Sequence, residues 1–520
     1  MKNSRLRANA AVTRRHLPAC IAALLATGAP AFGGVPDLGT APSTTNSTLV
    51  AMPPAKLAAH AEARPAYDST FGAALTAPPD APLSGNTLVV TSCGDNGGFD
   101  TLRHAVLVAN TGDTVDLSGL ACSVITLQAG AIAIGLSDLT IVGPGKGKLT
   151  IDGDGMDRVF SHTGIGTLTL NDVTIAHGTF AAAKAYGGCI YSKSSVSLNH
   201  SEVTACVAQG QTVGAGGGIA ALDTVTVRES AITDCLATAT AAVPKDVSAL
   251  AGGVLAVKKL FLVQSLLSGN IAQASTGAVY AGGALTGDMT VKYSTVTENI
   301  AASAGEAGNY GAAGALMGST LMKIFASTID HNSADIVGAV LIQEYDASTA
   351  LITMSTISSN VGTVGLGAIS AEGKVSILGS TIAFNTSGPT VPVNSAFSKA
   401  ANLQNTIMAD NAPADLASAL PVTGSNNLLK VLYPATVVPL DTIVLDPNLL
   451  PLAFNGGPTR THALGAGSPA IDTGSTSYVY DVDQRGPTYP RVAGAASDIG
   501  AVEVDTDHIF GTSLDFPLSL

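Results

Sequence analysis

Gly252-Gly253-Val254, Leu260-Phe261-Leu262 and Ser265-Leu266-Leu267-Ser268-Gly269-Asn270 follow one another along one short stretch of the chain. Together they make a unit: a pair of small residues, a short strand of alternating apolar residues, then Ser, an aliphatic pair and Asn or Cys. The preceding copy reads Gly217-Gly218-Ile219, Val225-Thr226-Val227 and Ser230-Ala231-Ile232-Thr233-Asp234-Cys235. The same order returns at Ser294 to Asn299, Ser327 to Asn332, Ser355 to Asn360 and Ser380 to Asn385, within a repeating region from Asp172 to Asp410. From Ser201 to Ser380 the successive Ser positions are 29, 35, 29, 33, 28 and 25 residues apart. The strands are kept while the loops change length. A solenoid behaves this way, because each coil buries its apolar face only against a neighbour.

The period decides which solenoid. Val225 and Val227, or Met289 and Val291, alternate with polar residues, and β-branched residues dominate; helical spacing is missing. The expected fold is all-β, a right-handed parallel β-helix of about 12 coils stacked at roughly 4.8 Å. The position five residues after each Ser forms a column: Cys206, Cys235, Asn270, Asn299, Asn332, Asn360, Asn385 and Asp410. Stacked Asn side chains satisfy backbone groups at a bend, so this column reads as architecture.

Composition agrees. Charged residues make up 12% of the chain, Gly is 57 of 520 and Trp is absent. Residues 1–31 read as a signal peptide: Lys2, Arg5, Arg7, Arg14 and Arg15 precede the apolar run Leu17 to Leu25, and Ala29-Pro30-Ala31 is a small-x-small cleavage site. Thr13-Arg14-Arg15-His16-Leu17 also fits a twin-arginine signal, so both export routes stay open. No other run suffices for a membrane span, so the product is expected outside the cell or at its surface, as a monomer. Removing the signal takes away five positive charges and no acid, moving the formal charge from −13 to −18. Such a surface argues against nucleic acid, acidic lipid and polyuronates such as pectin as partners unless a divalent cation bridges them. Residues 32–86, rich in Ala, Pro, Ser and Thr, read as a disordered linker.

Folding is expected to begin at the strand Asn86 to Thr91. A short helix follows, Thr101 to Ala109, capped by Asp100 and ended by Asn110, as a lid on the first coil. The β-helix is assigned to 87–413, a smaller β-rich C-terminal module to 414–503, and a tail to 504–520.

The two ends carry a resemblance. Val90-Thr91-Ser92, Leu102-Arg103-His104-Ala105-Val106, Ala109-Asn110 and Gly112-Asp113-Thr114-Val115 resemble the N-terminal CSLREA segment of bacterial surface β-helix proteins, with Asp100-Thr101 and His104 departing from its usual Cys-Ser and Glu. Asp446-Pro447, Asn455-Gly456-Gly457-Pro458-Thr459-Arg460-Thr461-His462, Gly467-Ser468-Pro469-Ala470-Ile471-Asp472, Asp483-Gln484-Arg485-Gly486, Arg491 and Asp498-Ile499-Gly500-Ala501-Val502-Glu503 are similar to the choice-of-anchor Q domain. The resemblance implies export, a β-helix and surface display. It implies no activity, and no apolar helix with a basic tail follows Glu503.

Candidate chemistry is sparse. Cys93 and Cys122 flank the lid helix and suit a disulfide, worth about 3 kcal/mol in the chain-entropy model. Cys206 and Cys235 sit at equivalent places of adjacent coils, either bridged or as buried thiols, with Cys189 left over. Asp152-Gly153-Asp154-Gly155-Met156-Asp157 has the look of a calcium loop but suits a tight turn better. Asp472, Asp481, Asp483, Asp498 and Glu503 either gather round a cation or, as the favoured reading, Asp483 and Asp498 pair with Arg485 and Arg491. No cofactor is otherwise expected.

Ile329-Asp330-His331-Asn332 resembles the Asp-His element of pectate lyases, yet it falls at variable slots of the repeat and lacks a second stacked acid other than Glu298. Tyr186, Tyr280 and Tyr310 each precede a small-residue pair and are expected to line one edge of the coils as a stripe for a glycan or surface-protein partner. Two function classes follow: a secreted or surface-displayed interaction scaffold of adhesin type, or a polysaccharide-active lyase or glycoside hydrolase.

Overall fold

The three-residue strand that ends each repeat stacks on its counterparts in a sheet of twelve strands, from Val124–Thr126 to Leu428–Leu429. The computed structural model describes residues 85–240, 247–275, 278–303, 310–343, 348–476 and 480–504. The expected signal peptide, the linker up to residue 84 and the tail from residue 505 lie outside these residues. Neighbouring strands pair in parallel, Ala231–Thr233 with Leu266–Ser268 and so on along the stack. The middle residue of each strand points inward: Ile151, Ile175, Val203, Ile232, Leu267, Val296, Ile329, Ile357 and Ile382 are all fully buried. Each contributes about 1.5–3 kcal/mol against an exposed reference. This is the spine sheet of a parallel β-helix.

From Thr174–Ala176 to Ile407–Ala409, two left-handed residues flank each spine strand. His200, Glu229, Gln264, Tyr293, Ala326 and Met354 precede the Ser column, and Ala205, Asp234, Glu298, His331, Ser359 and Phe384 precede the Asn column, with φ from 46° to 58°. An L residue pays roughly 1–2 kcal/mol there. The bends hold because their inner neighbours are over-determined. The amide of Ser230 donates to Ser265 Oγ, that of Ser265 to Ser294 Oγ and that of Ser294 to Ser327 Oγ, at 3.1–3.2 Å. At the other bend, each Asn Nδ2 and backbone N–H donate to the Oδ1 of the next Asn: Asn270 to Asn299, Asn299 to Asn332, Asn332 to Asn360, Asn360 to Asn385.

The last rung of this ladder is Asn411, where the repeat spacing pointed to Asp410. Thr406 fills the Ser slot, its hydroxyl donating to the carbonyl two residues back as the serines do, so the column moves on by one residue. Asn411 then donates to Asp415 Oδ1, which ends the ladder as a pure acceptor; burial pushes the Asp415 carboxyl up to about 6.

A second sheet of 22 strands forms the floor, each coil contributing strips such as Ile219–Ala221 and Thr224–Arg228, fused into one strand at Val254–Val263. A third sheet of ten strands folds over on itself. Its outgoing strands, Leu236–Ala239, Ile271–Ala274 and Ile300–Ser303, face the returning strands Ser248–Ala251 and Ala278–Ala281 across a core of Ala239, Val247, Ala249, Ala272, Ala274, Val279, Ala301 and Ala334. These are arches projecting from the coils.

Helix α1, Leu102–Val108, closes the first coil with Leu102, Ala105 and Val106 buried. Its N-cap is Thr101 rather than Asp100: the Thr101 hydroxyl accepts from the His104 amide and donates to the Gly98 carbonyl. Cys93 and Cys122 are joined by a disulfide beside it. A second disulfide joins Cys189 to Cys206, a pairing the repeat register did not suggest, and Cys235 is left buried with its thiol pushed up to about 12 by desolvation. The cross-coil bridge wins because position 189 and the Asn column face each other across one coil, whereas stacked thiols point the same way.

Parallel pairing runs on past residue 413, through Leu428 to Ile443. The segment that follows lies against the outer face of the spine sheet. Gln484 is its buried hub, donating to the Thr328 and Thr459 hydroxyls and accepting from that of Thr356. The Gly500 amide donates to the Asn405 carbonyl and the Ala501 amide to the Thr381 hydroxyl, while Leu464, Ala470 and Ile499 pack on Ile407 and Leu428.

Two predictions follow from this packing. Asn360→Ala removes acceptors and donors from five buried hydrogen bonds, at a cost of roughly 3 kcal/mol; a urea midpoint equal to wild type would show the ladder to be idle. Gly218 occupies in the next coil the place of Cys189, and a Cβ built there stands 3.1 Å from Cys235 Sγ and 3.1 Å from the Gly253 carbonyl oxygen. The first distance is close to the ~3 Å between Cβ and the far sulfur of a disulfide. Gly218→Cys is therefore expected to oxidise onto Cys235, reading as no free thiol in the denatured protein once residues 1–31, which carry Cys20, are removed. Two titratable thiols would refute it.

Candidate functional site: an aromatic corner on the coil stack

Where an arch returns to the floor, two rows of outward side chains meet. On the arch side the register aligns Tyr186 with Ala215, and the next two strands bring Leu250 and Tyr280 into the same column. On the floor side Tyr191, Ala220, Leu255 and Leu285 are aligned. Ala215, Ala220, Ala251 and Leu255 are buried in the corner, with Tyr186, Tyr191, Val213, Leu250 and Leu285 packed around them. The rows meet because the small pairs, Gly187-Gly188 and Gly216-Gly217, let arch and floor pass within backbone contact: a Cβ at Gly188 or Gly217 would fall 2.2 Å from a carbonyl of the next coil.

The three tyrosines expected to form one stripe are thus divided. Tyr186 and Tyr280 share a column three coils apart, with Ala215 and Leu250 between them. Tyr310 is exposed and aligns with Ala278, two residues further out along the arch. Tyr191, on the floor, belongs to the corner and was not singled out by the repeat. Its strand is the only floor strand of that column with an aromatic at the outward slot among the described residues, and that slot carries no periodic signal.

At the lower end of the corner the guanidinium carbon of Arg158 lies 3.5 Å from the ring centroid of Phe180 and 5.1 Å from that of Tyr191. Neither Arg158 nor Phe180 lies in the repeating pattern, because Arg158 precedes the first arch and Phe180 opens it.

Asp330 and His331 have a different fate. Asp330 is fully buried beneath the C-terminal segment, with its carboxylate ion-paired to Arg460 and 2.9 Å from His331 Nδ1. His331 is the left-handed residue of its bend, which is why its side chain faces outward. Nearby, His462 Nε2 lies 2.8 Å from Ser358 Oγ and its Nδ1 2.7 Å from the Leu450 carbonyl. The group fastens the C-terminal segment to the spine sheet.

Most of the remaining candidate acids are likewise engaged. Asp152 accepts from the Asp154 amide and lies 2.9 Å from His177 Nδ1, and Asp157 accepts from the Ala131 and Arg158 amides. Asp483 pairs with Arg485 at 2.6 Å. Arg491 pairs with Glu503 at 3.3 Å, and takes the Asp498 backbone carbonyl rather than its carboxylate, which instead accepts from the Asp472 and Val504 amides. Burial pushes the Glu503 carboxyl up to about 7. Among the described residues no group of three or more His, Cys, Asp or Glu is placed to hold a metal ion, and no helix is long and apolar enough to cross a membrane.

No family model matches the chain, and no curated protein matches it. Among solved structures it is similar to pectate lyase Pel9A, with 14% identity and a TM-score of 0.36, covering 81% of this chain and 97% of that one. It is also similar to the PL6 family alginate lyase AlyGC, with 10% identity and a TM-score of 0.32 over 70% of this chain and 54% of that one. The A-module of the Azotobacter vinelandii mannuronan C-5 epimerase AlgE6 matches at 10% identity and a TM-score of 0.25, over 66% and 95% of the two chains. At these identities the likeness is one of fold.

The two histidines at the seam between the spine sheet and the C-terminal segment are expected to titrate on opposite sides of the ordinary value of about 6.5. The hydrogen bond that His331 donates to the Asp330 carboxylate raises His331, and burial lowers His462. His331 therefore contributes fully below 6.5, and its contribution is lost as pH rises through its folded pKa. His462 contributes fully above 6.5, and its contribution is lost as pH falls towards its folded pKa. Imidazole NMR titration of the intact protein checks this; a shared midpoint would contradict it.

Proposed function

We propose that the chain is an exported interaction scaffold, secreted or displayed at the cell surface, whose binding face is the aromatic corner. The observation that carries this reading is the outward cluster of half-buried Tyr186, Tyr191, Leu250 and Leu285 on a backbone held rigid by stacked coils. Half-buried tyrosines beside aliphatic side chains suit the apolar face of a sugar ring, and sites on rigid strands hold their geometry. Two disulfides support an oxidising destination. The choice-of-anchor-like segment that ends near Glu503 then serves as the terminal clamp of the stack.

The second reading, a polysaccharide-active enzyme, would need an accessible pair of acid and base groups. Asp330, the carboxylate nearest to the pectate-lyase pattern, is buried and salt-bridged.

Tyr186→Ala combined with Tyr280→Ala removes both aromatic members of the arch column, and is expected to weaken glycan-array binding about tenfold or more, at 0.5–1.5 kcal/mol for each aromatic contact. Unchanged binding would rule out the corner as the binding face. Incubation with a polysaccharide panel, with and without calcium, is expected to release neither unsaturated products nor reducing ends; turnover of any member would establish the enzyme instead.

A further inference from the structure

We propose that Arg158 is the anion-binding end of the aromatic corner, a receptor for the single carboxylate of an acidic saccharide. The inference rests on the corner being a binding face and adds what that face selects.

Arg158 is only 8% exposed. Its guanidinium lies over Phe180 and near Tyr191, two ring faces that hold the plane of the fork. Among the described residues no carboxylate lies within ion-pair distance of it, and its Nε is buried without a hydrogen-bond acceptor. The adjacent Asp157 carboxylate is taken by the Ala131 and Arg158 amides.

An arginine stays charged in a protein, and a buried charge without a counter-ion is costly. Three other buried or half-buried arginines show the usual remedy: Arg103 meets Asp95, Arg485 meets Asp483 and Arg491 meets Glu503. Arg158 alone of these four lacks a carboxylate, and it stands where the corner ends.

A planar guanidinium fixed by stacking presents its N–H groups to a carboxylate in the fork geometry that makes such pairs strong. Tyr191 ties the two features together, since its ring belongs both to the corner and to the Arg158 stack. The aromatic faces favour a sugar ring as the body that carries the carboxylate. The net charge of −13 disfavours a ligand with many acids in a row.

The test titrates the full chain with a disaccharide containing glucuronic acid and with its neutral glucose counterpart, at low and high salt. Wild type is expected to prefer the acidic sugar about tenfold or more at low salt, with the preference reduced at high salt and the Arg158 Hε resonance shifted on binding. Arg158→Gln is expected to abolish the preference while still binding the neutral sugar. An undiminished preference in Arg158→Gln, or an unmoved Hε resonance under saturating acidic sugar, would overturn the inference and leave the corner standing. If neither sugar binds wild type, the corner itself is refuted as a saccharide site and the inference falls with it. If Arg158→Gln does not fold, the Hε resonance of wild type decides.

Discussion

From residue 172 to residue 410 each coil of this protein turns through left-handed residues, and the backbone groups released by those turns must find partners in a dry interior. The Ser and Asn columns meet that requirement. A Ser hydroxyl donates within its own coil and accepts from the coil before it, and an Asn amide does both at once. Because the columns are shared between coils, no coil satisfies its bends alone. Stacking is therefore a hydrogen-bonding necessity as well as a way to bury isoleucines. The start and end of the ladder show the same logic: Cys206 is tied by a disulfide to the opposite side of its coil, and Asp415, which needs no donor of its own partner, receives the last Asn.

This constraint also explains where variation is tolerated. The left-handed positions, His200, Glu229, Tyr293, Glu298, His331 and Phe384 among them, project outward, so almost any side chain is accepted once the bend is paid for. An Asp-His pair that resembles a lyase element arises at such a slot. The C-terminal segment then uses it, with Arg460 meeting Asp330 and His462 stacking on Phe384 at 5.0 Å. The same outer face that looks catalytic in sequence becomes an internal seam.

The proposed binding face lies elsewhere on the coils, where arches return to the floor. Small residues allow the two surfaces to approach, and the aromatic and aliphatic side chains that flank them gather into one corner. At its lower end, where the first arch begins and no coil of the arch stacks beneath, Phe180 and Arg158 fill the gap. Irregularity in a solenoid concentrates where the repeat starts, and so does the chemistry that the repeat cannot supply.

The period of two, the recurring Ser and Asn, and the small-residue pairs determined by themselves that the chain stacks parallel coils, since these features report which backbone groups face inward. Cys93 with Cys122 was legible for a similar reason, because both flank one short helix. Tertiary structure alone decided the rest. A one-residue shift moved the ladder from Asp410 to Asn411, Cys189 found Cys206 across a coil, and Tyr310 fell outside the column of Tyr186 and Tyr280. Loop lengths that differ between coils set those outcomes, and they change register without changing the pattern. Likewise Asp330 met Arg460 from 130 residues away, and Arg158 met Phe180 and Tyr191, through contacts between segments that share no periodicity. Local sequence reports direction and spacing along one strand; which faces are pressed together is settled only when the distant segment arrives.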